Sequence, residues 1–285
     1  MLAHVSGDIL GRMNSKVALW LTLCTTAMLP SFAQPKPKAP DSMRMYVFNC
    51  GSIKAMSVTT YGFKEGEVAP RDFVVTCYLI VHPKGALIWD TGLTPDSQLK
   101  PDGPTKPLKT QLNEIGYSPG DITYLAMSHY HSDHTANAND FASATWIVQK
   151  AEHDAMFAQG PARIMAPATF SALKNSTTKI LAGEDYDVFG DGKAVIKSAP
   201  GHTPGHQVLL LKFARDGNIL LAGDLYHFPE EQTLNRFPTF EFNVPQSAAS
   251  RMAIDQVVKQ NKAVLWISHD LATYDKAKKS PQYYQ

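Results

Sequence analysis

The sequence predicts a layered α/β domain that begins at about Met43 and runs to the C-terminus. Three observations lead there. Short apolar runs alternate with amphipathic stretches, no internal repeat or low-complexity block interrupts them, and several of the apolar runs end on a cluster of polar residues. With 285 residues and 44% hydrophobic content, the chain can bury a sizeable core as one large domain.

Residues 1–33 read as an export signal and stand apart from the fold. Met13-Asn-Ser-Lys16 gives a basic start, an apolar run follows from Val17 to Leu29, and the small residues Ser31 and Ala33 favour cleavage after Ala33. Met13 is a second candidate for the true start, because residues 1–12 add nothing that an export signal needs. The apolar run is shorter than the roughly 20 residues that span a bilayer. Leu23, before Cys24, is not the small residue that a lipid-anchored signal carries at that position. The expectation is a periplasmic or secreted protein with no stable membrane anchor. Residues 34–42, with Pro35, Pro37 and Pro40, read as an exposed linker, which leaves 43–285 as a single domain.

Within that domain, strand-like runs cover Tyr46 to Cys50, Phe73 to Val81, Ala86 to Trp89, Tyr124 to Met127, Thr145 to Gln149, Ala194 to Ser198, Gln207 to Lys212, Asn218 to Ala222 and Ala263 to Ile267. The segment from Asp90 to Leu108 is rich in Pro, Gly and Asp, so it is expected to be a long surface loop bordering the site. A helix follows with Leu108, Leu112 and Ile115 on one face. A second helix is expected from Gln246 to Gln260, with Met252, Ile254, Val257 and Val258 facing the core. Cys50 and Cys77 each lie inside a strand-like run. A disulfide between them is an open alternative in an oxidising compartment, but spacing cannot establish the geometry it requires, and two buried thiols are the expected reading. His82 and His153 have no supporting context and read as surface residues.

Lys and Arg total 27 against 26 for Asp and Glu. A chain so balanced has no field to attract nucleic acid, an anionic membrane or an acidic polymer. The expected partner is a small, weakly charged molecule.

The chemistry lies in Ser128-His129-Tyr130-His131-Ser132-Asp133-His134, directly after the strand that ends at Met127. Zinc-class ions take nitrogen from neutral imidazole and oxygen from carboxylate, and this density of both on one turn can aim ligands at two neighbouring points. His202 in a Gly/Pro-rich turn, Asp224 after Leu220-Leu-Ala-Gly, and His269 after Leu265-Trp-Ile-Ser supply further donors at strand ends. One metal normally needs three or four protein ligands. Five histidines and two aspartates therefore fit two metals that share one carboxylate. His206, four residues beyond His202, is expected to pack or hydrogen-bond behind the ligands.

The His129-x-His131-x-Asp133-His134 run, followed by His202, Asp224 and His269 at strand ends, resembles the metallo-β-lactamase superfamily. Within it, the chain is similar to the N-acyl homoserine lactonases. The similar stretches are Gln111 to Gly116, Asp121 to His129, Gly201 to Gln207, and the closing Ser268-His269-Asp270 with its Tyr-rich tail. The resemblance implies an αββα sandwich with two metals at one edge of the sheets. It implies His129, His131 and His202 on the first metal, Asp133, His134 and His269 on the second, and Asp224 between them. Zinc is the expected ion, with Fe, Co or Mn as alternatives for the same donors. The implied reaction is opening of a lactone ring by a hydroxide held between the metals, with Asp133 carrying the proton to the leaving oxygen.

In the lactonases a Tyr three residues after the bridging Asp donates to the substrate carbonyl. Here that position is His227 and Tyr226 precedes it. Three alternatives stand: the loop presents Tyr226, His227 takes over as donor, or neither contributes. Phe228, Phe237, Phe240 and Phe242 are candidates for an apolar lining around an acyl tail. A β-lactamase or a glyoxalase-like thioesterase of the same fold are competing readings. The first generally lacks an aspartate at the position of Asp224, and the second calls for a basic C-terminal pocket, for which Lys276, Lys278 and Lys279 are the candidates. A zinc-binding protein without catalysis is a minor reading, because degenerate members lose ligands and all seven remain here.

Overall fold

The computed structural model describes residues 37–158 and 164–285, and the expected export signal with its alternative start at Met13 lies outside the described residues. Two mixed sheets pack face to face. In the first, β1 (Arg44–Ile53), β2 (Phe73–His82) and β3 (Gly85–Trp89) pair antiparallel, and β4 (Tyr124–Ala126), β5 (Thr145–Gln149) and β6 (Thr178–Leu181) follow in parallel. The second has the order β11-β10-β9-β8-β7, built from β7 (Tyr186–Asp187), β8 (Ala194–Ser198), β9 (Gln207–Lys212), β10 (Asn218–Leu221) and β11 (Ala263–Trp266). β10 and β11 are parallel and the other pairs antiparallel. The helices are α1 (Leu108–Glu114), α2 (Ser132–Thr135), α3 (Lys150–Phe157), α4 (Pro167–Phe170), α5 (Glu230–Leu234), α6 (Val244–Asn261) and α7 (Leu271–Lys276).

Strand periodicity produces the layers. Side chains alternate faces along a strand, so Tyr78 and Ile80 of β2 join Leu87 and Trp89 of β3 against Ile196, Leu209, Leu211 and Leu221 of the second sheet. Their neighbours Cys77, Leu79 and Val81 turn the other way, onto Leu108 and Leu112 of α1 and Met156 of α3. The outer face of the second sheet, with Val208, Leu210 and Leu220, packs on Ile254 of α6. The result is the expected αββα sandwich, and β2 is buried along its whole length because both faces are covered.

The expected strands are present with ends shifted by a few residues. β6 and β7 have no counterpart among them: β6 is a largely exposed edge strand, and β7 has two residues, too few to form a pattern. The Asp90 to Leu108 loop contains one 3-10 turn at Asp96–Gln98. Asp96 closes the loop by accepting hydrogen bonds from the amides of Leu108 and Lys109 at 2.7 and 2.8 Å.

Three expectations are corrected. Cys50 and Cys77 form a disulfide with a Cα separation of 5.9 Å. The pairing of β1 with β2 slips between Asn49 and Gly51, and this bulge sets Cys50 against Cys77 on the neighbouring strand. Met252 is 68% exposed, because residues two apart on a helix point to different sides and the inner face of α6 is carried by Ser247, Ser250, Arg251 and Ile254. His82 is buried, stacked on Phe189 at 4.3 Å between ring centroids, with Nε2 3.0 Å from Asp191.

Candidate metal centre

Every expected ligand lies beyond the C-terminal end of a strand, and the topology gathers those ends at one edge of the sandwich. β4 leads into His129, His131 and α2, which carries Asp133 and His134. In the second sheet, β8, β10 and β11 run in the same direction, since β8 and β10 are both antiparallel to β9 and β11 is parallel to β10. Their ends deliver His202, Asp224 and His269 side by side. Gly223 (φ 54°) makes the sharp turn before Asp224, where a Cβ would stand 2.7 Å from both His206 Nε2 and Ser128 Cβ.

The seven side chains form two groups of four that share Asp224, one of His129, His131, His202 and Asp224, the other of Asp133, His134, Asp224 and His269. Donor atoms within each group lie within 4.8 Å of one another. Asp224 lies between the two groups, with Oδ1 towards the second and Oδ2 shared, since His269 Nε2 also stands 3.3 Å from Oδ2. Its Oδ2 is 3.6 Å from Nε2 of both His129 and His202, while Oδ1 is 3.2 Å from His134 Nε2 and 3.1 Å from His269 Nε2. His131 turns Nδ1 inward, 3.1 Å from His202 Nε2. Asp133 Oδ2 lies 3.4 Å from His269 Nε2.

The outer ring nitrogens are held from behind. Nδ1 of His202 donates to Glu241 Oε1 at 3.0 Å, Nδ1 of His134 to Asp90 Oδ2 at 3.0 Å, and Nδ1 of His269 to the Val74 carbonyl at 2.9 Å. His129 Nδ1 meets Ser128 Oγ at 3.0 Å. These bonds place the proton on the outer nitrogen and leave the inner one with a free lone pair. His206 behaves as expected: its Nδ1 donates to Ala199 O and its Nε2 accepts the Asp224 amide at 3.1 Å.

The charges and unmet bonds fit metal binding. His129 Nε2, His134 Nε2 and Asp224 Oδ1 are buried without any hydrogen-bond partner, a costly arrangement unless a cation satisfies it. Burial pushes His129, His131 and His202 well below the ordinary imidazole value, which keeps them in the neutral form that binds metal. At His134 burial also acts downward, but Asp224, Asp90 and Asp133 outweigh it and hold the ring well above that value. A divalent ion bound here would displace the proton that this site otherwise attracts.

A cavity of about 330 Å³ opens beside both groups, lined by Ile53, Tyr61, Phe73, Leu93, Phe240 and His227 and by the candidate ligands His131, Asp133, Asp224 and His269. His227 faces it, with Nε2 3.2 Å from Asp224 Oδ2 and Nδ1 3.5 Å from Glu231 Oε1. Tyr226 does not. Its backbone is extended (φ −142°, ψ 147°), so consecutive side chains point to opposite sides, and its hydroxyl turns to Asp255 at 3.4 Å with Arg251 over the ring. Of the four candidate phenylalanines, Phe240 alone lines the cavity. Phe228 packs in the core beside Tyr61 and Phe73, Phe237 lies under Arg251, and Phe242 is 60% exposed. Lys276, Lys278 and Lys279 are not among the cavity-lining residues. Asp90 and Glu241 join the site without having been expected there. Asp90, a carboxylate directly after an apolar strand, carries the same sequence signal as Asp224, whereas Glu241 carries none.

Comparison with known proteins agrees with this geometry. Residues 70–269 match the metallo-beta-lactamase superfamily. An N-acyl homoserine lactonase from a Bacillus species is 31% identical over 228 residues, covering 74% of this chain and 87% of the relative. The N-acyl homoserine lactonase AttM of Azorhizobium caulinodans is 27% identical over 260 residues, covering 85% and 98%. A solved N-acyl homoserine lactone hydrolase, with its product N-hexanoyl-L-homoserine at the catalytic metal centre, superposes with a TM-score of 0.70 at 25% identity, covering 84% of this chain and 98% of that one. The chain is a member of the metallo-β-lactamase superfamily, in the family of the N-acyl homoserine lactonases.

Proposed function

We propose that this protein is a dinuclear metal hydrolase that opens the lactone ring of N-acyl homoserine lactones. The observation that carries the reading is that Asp224 belongs to both groups of imidazoles and lines an apolar cavity beside them. His129, His131, His202 and Asp224 would hold one ion, and Asp133, His134, His269 and Asp224 the other. Zinc suits this donor set, and Fe, Co or Mn are accepted by the same atoms. Two such ions supply a water acidic enough to attack at neutral pH and a Lewis acid for the carbonyl oxygen.

The protein's own groups do the rest. Asp133 Oδ2 lines the cavity and is placed to take the proton released on attack and return it to the departing ring oxygen. His227 directs Nε2 to the same space, backed by Glu231, and serves as donor to the lactone carbonyl in place of the tyrosine. Ile53, Leu93 and Phe240 receive the acyl tail. Among the described residues, no lysine or arginine lines the cavity, which favours a neutral lactone over a glutathione thioester with its carboxylates. We further propose that the leader exports the enzyme to the periplasm or beyond, where it quenches diffusible lactone signals.

The test is hydrolysis of a short and a long N-acyl homoserine lactone by the metal-loaded protein, with nitrocefin and a glutathione thioester alongside. Ring opening that vanishes on chelation is the expected result. Turnover of another substrate with neither lactone consumed would overturn the substrate assignment and leave the metal centre standing.

A further inference from the structure

Glu152 is a buried carboxylate that touches no ligand and does not line the cavity, yet it joins the two loops that carry the three histidines of the first group. It sits in the first turn of α3. Its Oε1 accepts the amide of Tyr130 at 2.7 Å, the residue between His129 and His131. Its Oε2 accepts the amide of Gly205 at 2.8 Å, and the hydroxyl of Thr203, next to His202, lies 2.9 and 2.8 Å from the two oxygens. The loop comes this close because residue 205 is glycine: a Cβ there would stand 2.4 Å from the Glu152 amide. His129 and His131 follow a strand of the first sheet and His202 a strand of the second. Gln207 joins the bases of the two segments, its amide bonding the Ser128 carbonyl and its Nε2 the Met127 carbonyl at 2.9 Å each, and Glu152 joins them farther out, beside the ligands.

We propose that Glu152 is the positioning residue of the first metal group, clamping the His129–His131 loop to the His202 loop so that their inner nitrogens stay in register. The inference rests on the ligand assignment made above. All three of its partners are donors, so a carboxylate is required: a glutamine of the same shape would turn an N–H towards an N–H at one of them. Burial pushes Glu152 up to about 7, and the bonds from Thr203, Gly205 and Tyr130 act the other way, favouring the ionised form in which both oxygens accept. The second group stands outside this clamp, since Asp133 and His134 ride on α2 and His269 follows β11. Glu152 therefore acts on one ion and not on the other.

The test is a zinc titration of the full chain in competition with a chromogenic chelator, repeated with cobalt to follow its d–d absorption. The wild type should bind two equivalents. Glu152→Gln should weaken one of them by about 10–100-fold, the usual cost of losing a group that orients a ligand, and leave the other unchanged. Beside His269→Ala, which disables the second group, Glu152→Gln should weaken the remaining ion; beside His202→Ala it should not. Thr203→Val removes one donor at nearly constant volume and should show the same selectivity with a smaller shift, so the inference survives a Gln variant that fails to fold. Equal weakening of both ions, or a lower melting temperature with both affinities intact, would mean that Glu152 only supports the fold and would overturn the proposal. A wild-type chain that binds fewer than two ions would instead overturn the ligand assignment itself.

Discussion

Asp90 Oδ2 lies 3.0 Å from Nδ1 of His134, and both side chains are sealed from solvent. Asp90 also accepts the amide of Ser128 at 2.6 Å through Oδ1. It holds this position with φ at 57°, in the left-handed region that Asp tolerates better than most residues. Asp90→Asn would keep the bond from Ser128 and place an N–H against the Nδ1–H of His134. Affinity for the second ion should fall by about 10–100-fold. Lactone turnover measured against free zinc should shift to higher metal and recover at saturation. A loss that excess zinc does not restore would assign Asp90 to the fold alone.

His227 and Tyr226 make opposite predictions. Removing a single donor to a developing oxyanion costs about 10²–10³ in kcat, so His227→Phe should lose that much with two metals still bound. Tyr226→Phe should change kcat little, because its hydroxyl turns to Asp255 of α6 and Tyr226 does not line the cavity. Steady-state kinetics at matched metal content separate the two. The reverse order would return Tyr226 to the site.

Leu93 and Ile53 stand on the apolar wall of the cavity. Leu93→Trp should narrow it and raise KM for a long acyl tail more than for a short one. Each methylene that loses its buried contact costs about 0.8 kcal/mol. Equal effects on both substrates would place the tail elsewhere.

The Cys50–Cys77 bridge closes a loop with a sequence separation of 27. Chain-entropy arguments give such a crosslink about 3.5 kcal/mol. Cys77→Ser, or reductant added to the wild type, should lower unfolding stability by about that amount in a denaturant titration. Gly92 packs directly on the pair, where a Cβ would lie 2.9 Å from Cys50 Cβ, and Leu93 follows it. Loss of the bridge should therefore also loosen the cavity wall, seen as faster amide exchange around Leu93.

Much of the centre is legible in the sequence, for a local reason. Imidazole and carboxylate are the groups that bind zinc-class ions, and His129, His131, Asp133, His134, His202, Asp224 and His269 each stand just past an apolar run. Strand identity is readable in the same way, from runs such as Phe73 to Val81. Elements with no inward pattern are not: β6 exposes two of its four residues and buries one. Met252 shows the converse error, an apolar residue near Ile254 in sequence but on another side of the helix.

By itself, then, the sequence determined the layered fold, the seven candidate donors and the near balance of charge, because these follow from residue type and short-range periodicity. The tertiary structure decided what depends on the angle and register at which distant segments meet. The direction of the three parallel strand ends sets Asp224 between two groups of donors. The extended backbone at Tyr226 turns its hydroxyl away and brings His227 forward, and a bulge of one residue in β1 joins Cys50 to Cys77. Glu152 became a clamp only when Tyr130, Thr203 and Gly205, which lie far apart in the chain, converged on one buried carboxylate.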